Sequence, residues 1–544
     1  MSIPELNRRD FIKSLLAGLS VTALDWSAFP TAGRTSYSSD EFDAIIIGAG
    51  LGGLSCGAAF ARQGFKPLVV EQHSKAGGYA TTFKRKDFVF DVSLHSTGAG
   101  ERNGIHNLIA GFPEITTVEF VPHPHLYRML YPDYDIRVPQ KNLRGYIDML
   151  SGYFPEEKAG IEGIFEDMQG LLNDIQKISQ AQNQIDMSRF ALDFPFLAKS
   201  VGKTWGQLVD ARINNTKLKA IVSSLWVYFG LPPSKLSPFY YAMPTMGYLQ
   251  GGGYYPIGKS QKISDALVKF IEEHGGKVLL SRKVKEILIN DHAAYGIKTE
   301  KGEEFRSKVV VSNASAPVTF KKMMQENDYL KEYLNRLDTY SISLSSFQIF
   351  LGLNKDLIGE LGIKDTEIFY NTGYDQDADY LSMQKSNVEN GGYALTLYDN
   401  LYKGYSPEGK NILNILNLQG YEHWLPYESD YFQGKKDAYL KEKKRLADIM
   451  IDQAEKTLLP GLRAAIEVIE IGTPLTNVRY TGNYCGAVYG FDQTLDNCGQ
   501  NRLGHKTPIK NLYLAGAWTR PGHGYGAVIP SGLECFTEIM QEWK

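Results

Sequence analysis

Three glycines near the start of the chain have the spacing of a loop that binds a pyrophosphate. Gly48, Gly50 and Gly53 form the pattern G-x-G-x-x-G directly after the apolar run at 44–47. The first glycine permits a sharp strand-to-helix turn, the second lets the backbone approach the phosphates, and the third lets the helix pack closely on a sheet. The free N–H groups and the dipole at the start of that helix favour a bound anion. The pattern therefore predicts a dinucleotide site.

A carboxylate and a second pair of glycines follow at distances that suit the same ligand. The apolar run at 67–70 predicts another buried strand, and Glu71 ends it, roughly 20 residues after the last glycine of the loop. A carboxylate in that place accepts hydrogen bonds from the ribose hydroxyls of an adenosine. Gly77 and Gly78 allow a further stretch of backbone to lie against the pyrophosphate.

The elements that must hold these residues are those of an α/β chain. The apolar run at 44–47 predicts a buried parallel strand, further strands are predicted at 67–70 and 308–312, and a helix is predicted over about 260–274. A strand near 283–287 leads into a hairpin. Strands that alternate with helices in this way indicate a parallel sheet covered by helices.

The composition fits a large folded protein and gives no sign of a nucleic-acid partner. The chain has 544 residues, of which 43% are hydrophobic and 22% charged, so it can bury a large core. Lys and Arg number 58 against 61 Asp and Glu, and no basic run marks a nucleic-acid surface. The 33 Tyr and 26 Phe must pack in a core or line a cavity for an apolar ligand.

The last segment of the chain repeats the strand–turn–helix pattern of the first. Residues 512–515 predict a strand and 531–540 a helix, and the glycines between them let the backbone approach a flat ligand. With FDVSLHSTG at 90–98 and TPLTNVRYTGNYCGAVYGFDQ at 473–493, the chain resembles the phytoene desaturase, carotenoid isomerase and retinol saturase group of the amine oxidase superfamily. The resemblance implies that the bound dinucleotide is FAD.

The resemblance also implies a divided chain with a Rossmann-type α/β unit and an α+β insert. After an export signal and linker at 1–40, the FAD-binding domain is expected over 42–110, 240–320 and 470–544. The inserted substrate domain is expected over 111–239 and 321–469.

Expected cofactor contacts follow from the glycine loops and from this resemblance. The glycine loops and the carboxylate supply Gly48, Gly50, Gly53, Glu71, Gly77 and Gly78. The resemblance places the backbone of Val284 near the adenine. It also implies that a closing segment with Gly516, Ala527 and Val528 covers the flavin. The dipole of the last helix then stabilises negative charge on the reduced ring.

Two histidines and a tyrosine are the candidates for proton transfer. The resemblance implies that His95 lies near the flavin, where an imidazole with its ordinary pKa near neutrality can carry the proton that accompanies hydride transfer to or from a C=C bond. A packed histidine bonded to the backbone is the alternative. His523 and Tyr525 lie in the part of the closing segment that follows Gly516, called here the flavin-covering turn. Each can act in catalysis, cap the loop or contact the cofactor.

Three classes of function stay open at this point. The first is an FAD-dependent oxidoreductase that saturates, desaturates or isomerises C=C bonds of a hydrophobic polyene, isoprenoid or lipid, and the TPLTN segment favours it. The second is a flavin-dependent amine oxidase, to which the turn GAWT at 516–519 is similar. The third is a non-catalytic lipid-binding protein on the same scaffold, against which the complete glycine set and Glu71 argue.

The N-terminal residues predict an export signal. Arg8 and Arg9 precede an uncharged stretch at 14–24 that is shorter than the roughly 20 residues of a membrane-spanning helix. This arrangement is similar to a twin-arginine signal, although an amphipathic helix with two arginines is the alternative. We expect export by the twin-arginine machinery to the periplasm or a membrane, with a quinone or other redox carrier as electron partner. The segments LDFPFLAKS at 192–200 and IVSSLWVYFGLPPSKL at 221–236 predict a tunnel wall, contact with a membrane surface, or ordinary core helices.

The four cysteines give no indication of a metal site. Cys56 and Cys535 lie on predicted apolar helices and are expected to be inert core residues. No spacing of Cys and His suits a metal, so none is expected. Export makes a disulfide between Cys485 and Cys498 conceivable, and that alternative stays open.

Overall fold

The computed structural model describes residues 26–31, 41–98, 112, 115, 117–180, 185–325, 328–389 and 391–543. The predicted export signal, with Arg8, Arg9 and the stretch at 14–24, lies outside the described residues. In chain order the strands are β1 (Glu41–Ile47), β2 (Pro67–Val70), β3 (Thr82–Arg85), β4 (Phe88–Asp91), β5 (Phe120–Pro122), β6 (Tyr127–Tyr131), β7 (Tyr134–Val138), β8 (Tyr254–Pro256), β9 (Lys277–Leu279), β10 (Val284–Asn290), β11 (Ala293–Thr299), β12 (Glu304–Ser312), β13 (Ser345–Leu353), β14 (Glu367–Tyr370), β15 (Tyr393–Thr396), β16 (Asn411–Gln419), β17 (Ile466–Gly472) and β18 (Leu512–Leu514).

The α-helices of the described part connect and cover these strands. They are α1 (Leu51–Arg62), α2 (Leu143–Tyr153), α3 (Lys158–Gln180), α4 (Phe190–Asp193), α5 (Pro195–Ser200), α6 (Trp205–Asp210), α7 (Thr216–Val222), α8 (Pro238–Gly251), α9 (Gln261–Glu273), α10 (Ala316–Lys322), α11 (Lys331–Thr339), α12 (Leu357–Glu360), α13 (Gln376–Gln384), α14 (Leu425–Phe432), α15 (Asp437–Thr457), α16 (Leu462–Ala465), α17 (Pro474–Thr481) and α18 (Tyr525–Glu542).

The first of two seven-stranded sheets has a parallel centre. Its strands run β9, β2, β1, β12 and β18, all parallel, and the antiparallel strands β11 and β10 continue from β12. In β1 every residue after Glu41 is buried, as a strand covered on both faces requires. The α/β fold class is therefore confirmed. The strand predicted at 308–312 begins earlier, at Glu304, because its polar first half pairs with β11.

The second sheet is mainly antiparallel and carries the far side of the site. Its order is β17, β13, β16, β15, β14, β6 and β7, with the pair β14 and β6 parallel. Strand β13 is buried along its whole length and pairs with β16 from Ser345↔Gln419 to Leu353↔Asn411. Helix α8 packs in the same apolar cluster as β6 and β7. The predicted domain boundaries stay a prediction.

Helices α1 and α18 pack closely because small residues meet at their contact. A Cβ atom on Gly532 would lie 2.1 Å from the carbonyl oxygen of Gly52. Helix α18 begins at Tyr525, before the start predicted at 531, so that prediction is wrong. Pro530 stands inside the helix, where its missing N–H costs one backbone hydrogen bond while the buried Ile529 and Leu533 hold the turn against the core. In the described part, no helix has the length and apolar character needed to cross a membrane.

Candidate functional site

A cavity of about 2250 Å³ lies between the carboxyl edge of the first sheet and the second sheet. Ligands of open α/β sheets bind outside this edge. All the predicted site residues except Gly53 and Gly516 line the cavity. Those two glycines pack against neighbouring groups.

The first glycine loop has the geometry that its sequence predicts. Gly48 has φ of +95°, a value that side-chain-bearing residues rarely adopt, and Gly50 caps the N-terminus of α1. A Cβ atom on Gly53 would lie 2.1 Å from the carbonyl oxygen of Gly48. The first turn of α1 therefore starts directly at the cavity wall, where its N–H groups have no partner within the helix.

The second glycine pair lies directly against this loop. The N–H of Gly77 donates to the carbonyl of Ala49 at 2.7 Å, and Gly77 forms a parallel bridge with Gly50. Gly77 and Gly78 have φ of +122° and +61°, and a Cβ atom on Gly78 would lie 3.4 Å from the Cα of Gly50. The two stretches form a cradle of backbone into which phosphates can come close.

Glu71 fixes the first loop through its carboxylate. One oxygen accepts the N–H of Ala49 at 2.7 Å and the other accepts that of His73 at 2.8 Å. Burial raises the pKa of Glu71, and these backbone hydrogen bonds oppose the shift. Each carboxylate oxygen keeps lone pairs for a ribose hydroxyl. Val284 begins β10 and lines the cavity two residues after Arg282, whose N–H donates to the carbonyl of Glu71 at 2.8 Å.

Asn313 is a cradle residue that the sequence reasoning missed. It follows β12, its N–H donates to the carbonyl of Ile47 at 2.8 Å, and its amide lies against the first loop. A Cβ atom on Gly516 would lie 2.3 Å from its side-chain oxygen, which explains the glycine there. A polar residue just past a buried parallel strand is the signal that marks such a position.

A buried arginine holds the turn at 516–523. Arg502 is almost fully buried and donates to the carbonyls of Ala517 at 2.6 Å, Thr519 at 2.9 Å and Phe491 at 3.2 Å. Each of its bonds goes to a backbone oxygen, so the turn is fixed whatever side chains it carries. The sequence offered no local signal for this role, because Arg502 lies well before the turn.

His523 in this turn is buried between two tyrosine rings, those of Tyr489 at 4.5 Å and Tyr240 at 5.1 Å between ring centres. Its Nε2 lies 3.3 Å from the carbonyl of Tyr228. Burial and the charge of Arg502 lower the pKa of His523 to about 3. A neutral imidazole in this setting suits a packing and hydrogen-bonding role better than proton donation at neutral pH.

Tyr525 begins α18 beneath the cavity. Burial, with the nearby charge of Asp91, raises the pKa of Tyr525, so its phenol stays protonated. The N–H groups of Ala527 and Val528 each donate to the carbonyl of Gly524 at 2.9 Å, which closes the first turn of the helix at the cavity wall. The start of α18 thus faces the cavity, as the closing-segment prediction requires.

His95 belongs to a buried polar cluster on the second-sheet side of the cavity. Its Nδ1 lies 3.0 Å from a carboxylate oxygen of Glu367 and 2.8 Å from the hydroxyl of Thr396. The hydroxyl of Tyr228 donates to the same oxygen of Glu367. Sequence reasoning missed Glu367 and Tyr228, which meet His95 only in the folded chain. Apolar and aromatic side chains dominate the wall around the cluster; they include Phe229, Phe239, Met243, Tyr248, Phe369 and Leu416.

The cysteines are free thiols. Cys56 and Cys535 are buried, and Cys485 and Cys498 are half-buried and unbridged, so the disulfide considered above does not form. Within the described ranges, no group of three or more His, Cys, Asp or Glu side chains is placed to hold a metal ion.

A family model decides which class of protein this fold and site represent. The model for flavin containing amine oxidoreductases matches residues 51–535, which is most of the chain. The chain belongs to this family. It is an FAD-dependent oxidoreductase, and the predicted fold class, cofactor and enzyme class are confirmed.

Two curated relatives and a solved structure extend the comparison of this flavoenzyme. It is 27% identical to prolycopene isomerase 1 of an Oncidium hybrid cultivar, over 93% of this chain and 84% of the relative. It is 26% identical to the all-trans-retinol 13,14-reductase of Danio rerio, over 92% and 86%. An oxidoreductase from Methanosarcina mazei has the same fold, with a TM-score of 0.60 and 18% identity over 92% of this chain and 100% of that structure.

The cradle of the flavoenzyme fits FAD. At Gly50, a Cβ atom would lie 2.9 Å from the amide nitrogen of Asn313, so a side chain here would crowd the loop that a phosphate must approach. Gly48, Gly50, Gly77 and Gly78 would hold the pyrophosphate, Glu71 and Val284 would flank the adenosine, and the first turn of α18 would face the ring. The assignment of these individual contacts stays a prediction.

Proposed function

We propose that this flavoenzyme acts on carbon–carbon double bonds of an extended, largely apolar and unsaturated molecule, such as a polyene, an isoprenoid or another lipid. The observation that carries the proposal is the polar cluster of His95, Glu367 and Tyr228, set in an apolar and aromatic wall opposite the glycine cradle. The names of the two relatives, a prolycopene isomerase and a retinol 13,14-reductase, support the same substrate class.

The chemistry needs one group that exchanges hydride and one that carries a proton. When bound, FAD supplies a ring that exchanges hydride with carbon. Addition of a hydride and a proton to a C=C bond reduces it by two electrons, and removal of a hydride and a proton from a C–C bond is desaturation. In an isomerisation, any hydride or proton that is removed from the substrate is given back to it, so there is no net redox change. His95 carries the proton, and the apolar wall holds the chain of the substrate and excludes water. A quinone or other redox carrier exchanges the two electrons in a net reduction or oxidation.

A substrate panel tests the reaction class. Oxidised and reduced holoenzyme would be incubated separately with polyenes, unsaturated fatty acids and amines, and the products separated by chromatography. We expect a change in the double bonds of a polyene or lipid. Turnover of amines alone would contradict the proposal and favour an amine oxidase. Binding of polyenes without any change in them or in the flavin spectrum would favour a lipid-binding protein.

We also propose that the protein is exported through the twin-arginine machinery and works in the periplasm or at a membrane. Arg8, Arg9 and the uncharged stretch at 14–24 support this proposal. Changing both arginines to lysine should leave folded, flavin-loaded protein in the cytoplasm. Unchanged export of that variant, measured by cell fractionation, would contradict the assignment.

Contact with a membrane surface forms part of the same proposal. The cavity reaches the protein surface beside α4 and α5, where Ala191 and Val201 line it and Leu192 is 72% exposed. An exposed apolar side chain at such an opening lets a water-insoluble substrate pass from a bilayer. We expect Leu192→Ser to weaken flotation with lipid vesicles. The matched control is Leu381→Ser, since Leu381 is 52% exposed on α13 and does not line the cavity. Equal flotation of the unaltered protein and both variants would contradict the proposed membrane contact.

A further inference from the structure

A carboxylate without access to solvent stands behind the cavity wall. Glu367, the first residue of β14, has no exposed surface. One of its oxygens lies at Nδ1 of His95 and accepts the hydroxyl of Tyr228, while its other oxygen has no hydrogen-bond partner among the described residues. A buried carboxylate is costly unless donors compensate it. The phenol of Tyr228 donates to Glu367, and Nδ1 of His95 donates to it when that nitrogen carries a hydrogen.

Two oxygens lie at one ring nitrogen of His95. Nδ1 is 3.0 Å from a carboxylate oxygen of Glu367 and 2.8 Å from the hydroxyl of Thr396, which can accept as well as donate, so a hydrogen on Nδ1 suits both contacts. The other ring nitrogen, Nε2, then has no contact with Glu367 or Thr396, and His95 itself lines the cavity. The partner of one imidazole nitrogen sets the role of the other, as in catalytic groups in which a carboxylate orients a histidine.

We infer that Glu367 is a positioning residue that holds His95 with Nδ1 protonated, so that Nε2 is the atom that exchanges a proton with the substrate. The inference rests on the proposed function, because it assigns His95 a proton to carry. Glu367 itself lies behind the wall and does not line the cavity.

The other titratable groups around Glu367 do not compete for this role. The charge of Glu367 affects the pKa of four neighbouring groups, which are His123, Tyr127, Tyr248 and Tyr398. Burial lowers the pKa of His123 to about 4 and raises the pKa of each tyrosine, so all four stay neutral near pH 7. His95 is the imidazole whose ring nitrogen contacts the carboxylate.

Tyr228 connects this cluster to the flavin-covering turn. Its hydroxyl bonds to Glu367, and its backbone carbonyl lies 3.3 Å from Nε2 of His523. One residue therefore contacts both the carboxylate and the turn on the side of the cavity where the flavin ring is expected.

A double-mutant cycle on the holoenzyme tests the inference through activity. The variants are His95→Phe, Glu367→Gln and the double variant, each assayed for kcat and KM with a polyene substrate and for flavin content. We expect Glu367→Gln to lower kcat by about 10²-fold with KM and flavin content unchanged. We expect the double variant to be no slower than His95→Phe, because both changes remove one function. Losses that multiply in the double variant would overturn the inference.

A matched control distinguishes the specific effect of removing the Glu367 carboxylate from the general effect of removing any buried carboxylate. Glu157 is also buried, accepts the N–H groups of Asn214 and Asn215, and does not line the cavity. Glu157→Gln should leave kcat unchanged. An equal loss of kcat in Glu157→Gln and Glu367→Gln would assign the effect to the fold and overturn the inference.

Nitrogen NMR of the unaltered holoenzyme gives a reading that needs neither turnover nor a variant at Glu367. With ¹⁵N-labelled histidine, and with His95→Phe to assign the signal, the pH is raised until the ring of His95 is neutral, and we expect that neutral ring to carry its hydrogen on Nδ1 and none on Nε2. Hydrogen on Nε2 with a bare Nδ1 would overturn the inference. If no polyene or lipid is turned over, the proposed function fails, while this spectrum still decides the role of Glu367.

Discussion

Backbone atoms form the side of the cavity that carries the glycine loops, whereas side chains form the side that belongs to the second sheet. In the cradle, Gly50, Gly77 and Gly78 bring carbonyls and N–H groups to the wall. In the opposite wall, His95, Glu367 and Tyr228 come from separate segments and meet through hydrogen bonds. The two sides should therefore respond differently to substitution. In the cradle, an added methyl group prevents cofactor binding because of its volume. In the opposite wall, removal of one functional group abolishes catalytic activity while the shape of the cavity is kept.

The largest effect is expected from a larger side chain in the cradle. Gly50→Val places a larger side chain beside Asn313, where the phosphates must approach. The affinity of the variant for flavin should be at least tenfold lower, a loss of at least about 1.4 kcal/mol of binding free energy, so the purified variant should contain less flavin. Visible absorbance of the purified protein measures the flavin content. The matched control is Gly152→Val, since a Cβ atom on Gly152 in α2 meets nothing within 4 Å. Normal flavin content in Gly50→Val would contradict the cradle.

The next effect is expected on the side-chain wall. His95→Phe keeps an aromatic ring of similar volume and removes both nitrogens. Flavin content and KM should persist while kcat falls by about 10² to 10⁴-fold, the range of general acid–base catalysis. Steady-state kinetics and the flavin spectrum measure the two properties. A normal kcat would make His95 a packed residue of the wall.

A smaller effect should appear as a pH dependence of stability. Burial lowers the pKa of His123 from 6.5 to about 4, and its Nδ1 pairs with the hydroxyl of Thr366 at 2.7 Å. Between these pH values the unfolded chain binds a proton at this ring and the folded chain does not, so stability falls as the pH falls through this window. The full loss amounts to roughly 3 kcal/mol, because each pKa unit corresponds to about 1.4 kcal/mol. It is complete only below pH 4.

His123→Phe should remove this part of the pH dependence. Urea unfolding at pH 7.5 and pH 4.5 measures the free energy of unfolding of both proteins. The difference between the two pH values should shrink in the variant. An identical difference in both proteins would show that His123 is charged in the fold. His523 on the flavin-covering turn, with its pKa lowered to about 3, contributes in the same direction from the other side of the cavity.

The smallest effect is expected outside both walls. Cys485 is an unbridged, half-buried thiol, and burial raises its pKa to about 11, so it is neither a disulfide partner nor a thiolate. Cys485→Ser, or addition of a reductant, should change the free energy of unfolding by no more than about 0.5 kcal/mol. A marked drop in melting temperature with reductant would reveal a bridge.

The cradle could be predicted because its residues are close in sequence and their type is dictated by the backbone. Gly48 needs a positive φ, and Gly53 leaves no room for a Cβ atom, so the pattern is visible without any knowledge of distant contacts. The parallel strands β1 and β2 were predictable for a related reason, since burial on both faces demands continuous apolar runs.

The side-chain wall could be predicted only in part. His95 stood out by its type, but Glu367 lies 272 residues away, and a single glutamate among 61 acidic residues carries no local mark. Arg502 was missed for the same reason, because its partners are backbone carbonyls that any sequence offers. The start of α18 was misplaced because Pro530 is a helix breaker by local rules, and only packing against α1 shows that the helix continues through it.

The central claim is that FAD in the cradle and the polar cluster in the opposite wall act together on a carbon–carbon double bond. The most direct test mixes oxidised or photoreduced holoenzyme with a polyene in the absence of oxygen, and follows the flavin spectrum and the polyene together, in the wild type and in His95→Phe. The account predicts that the wild type changes the number or geometry of the double bonds and that His95→Phe does so at least about 10²-fold more slowly. Recovery of unchanged polyene, while an amine bleaches the oxidised flavin, would contradict it.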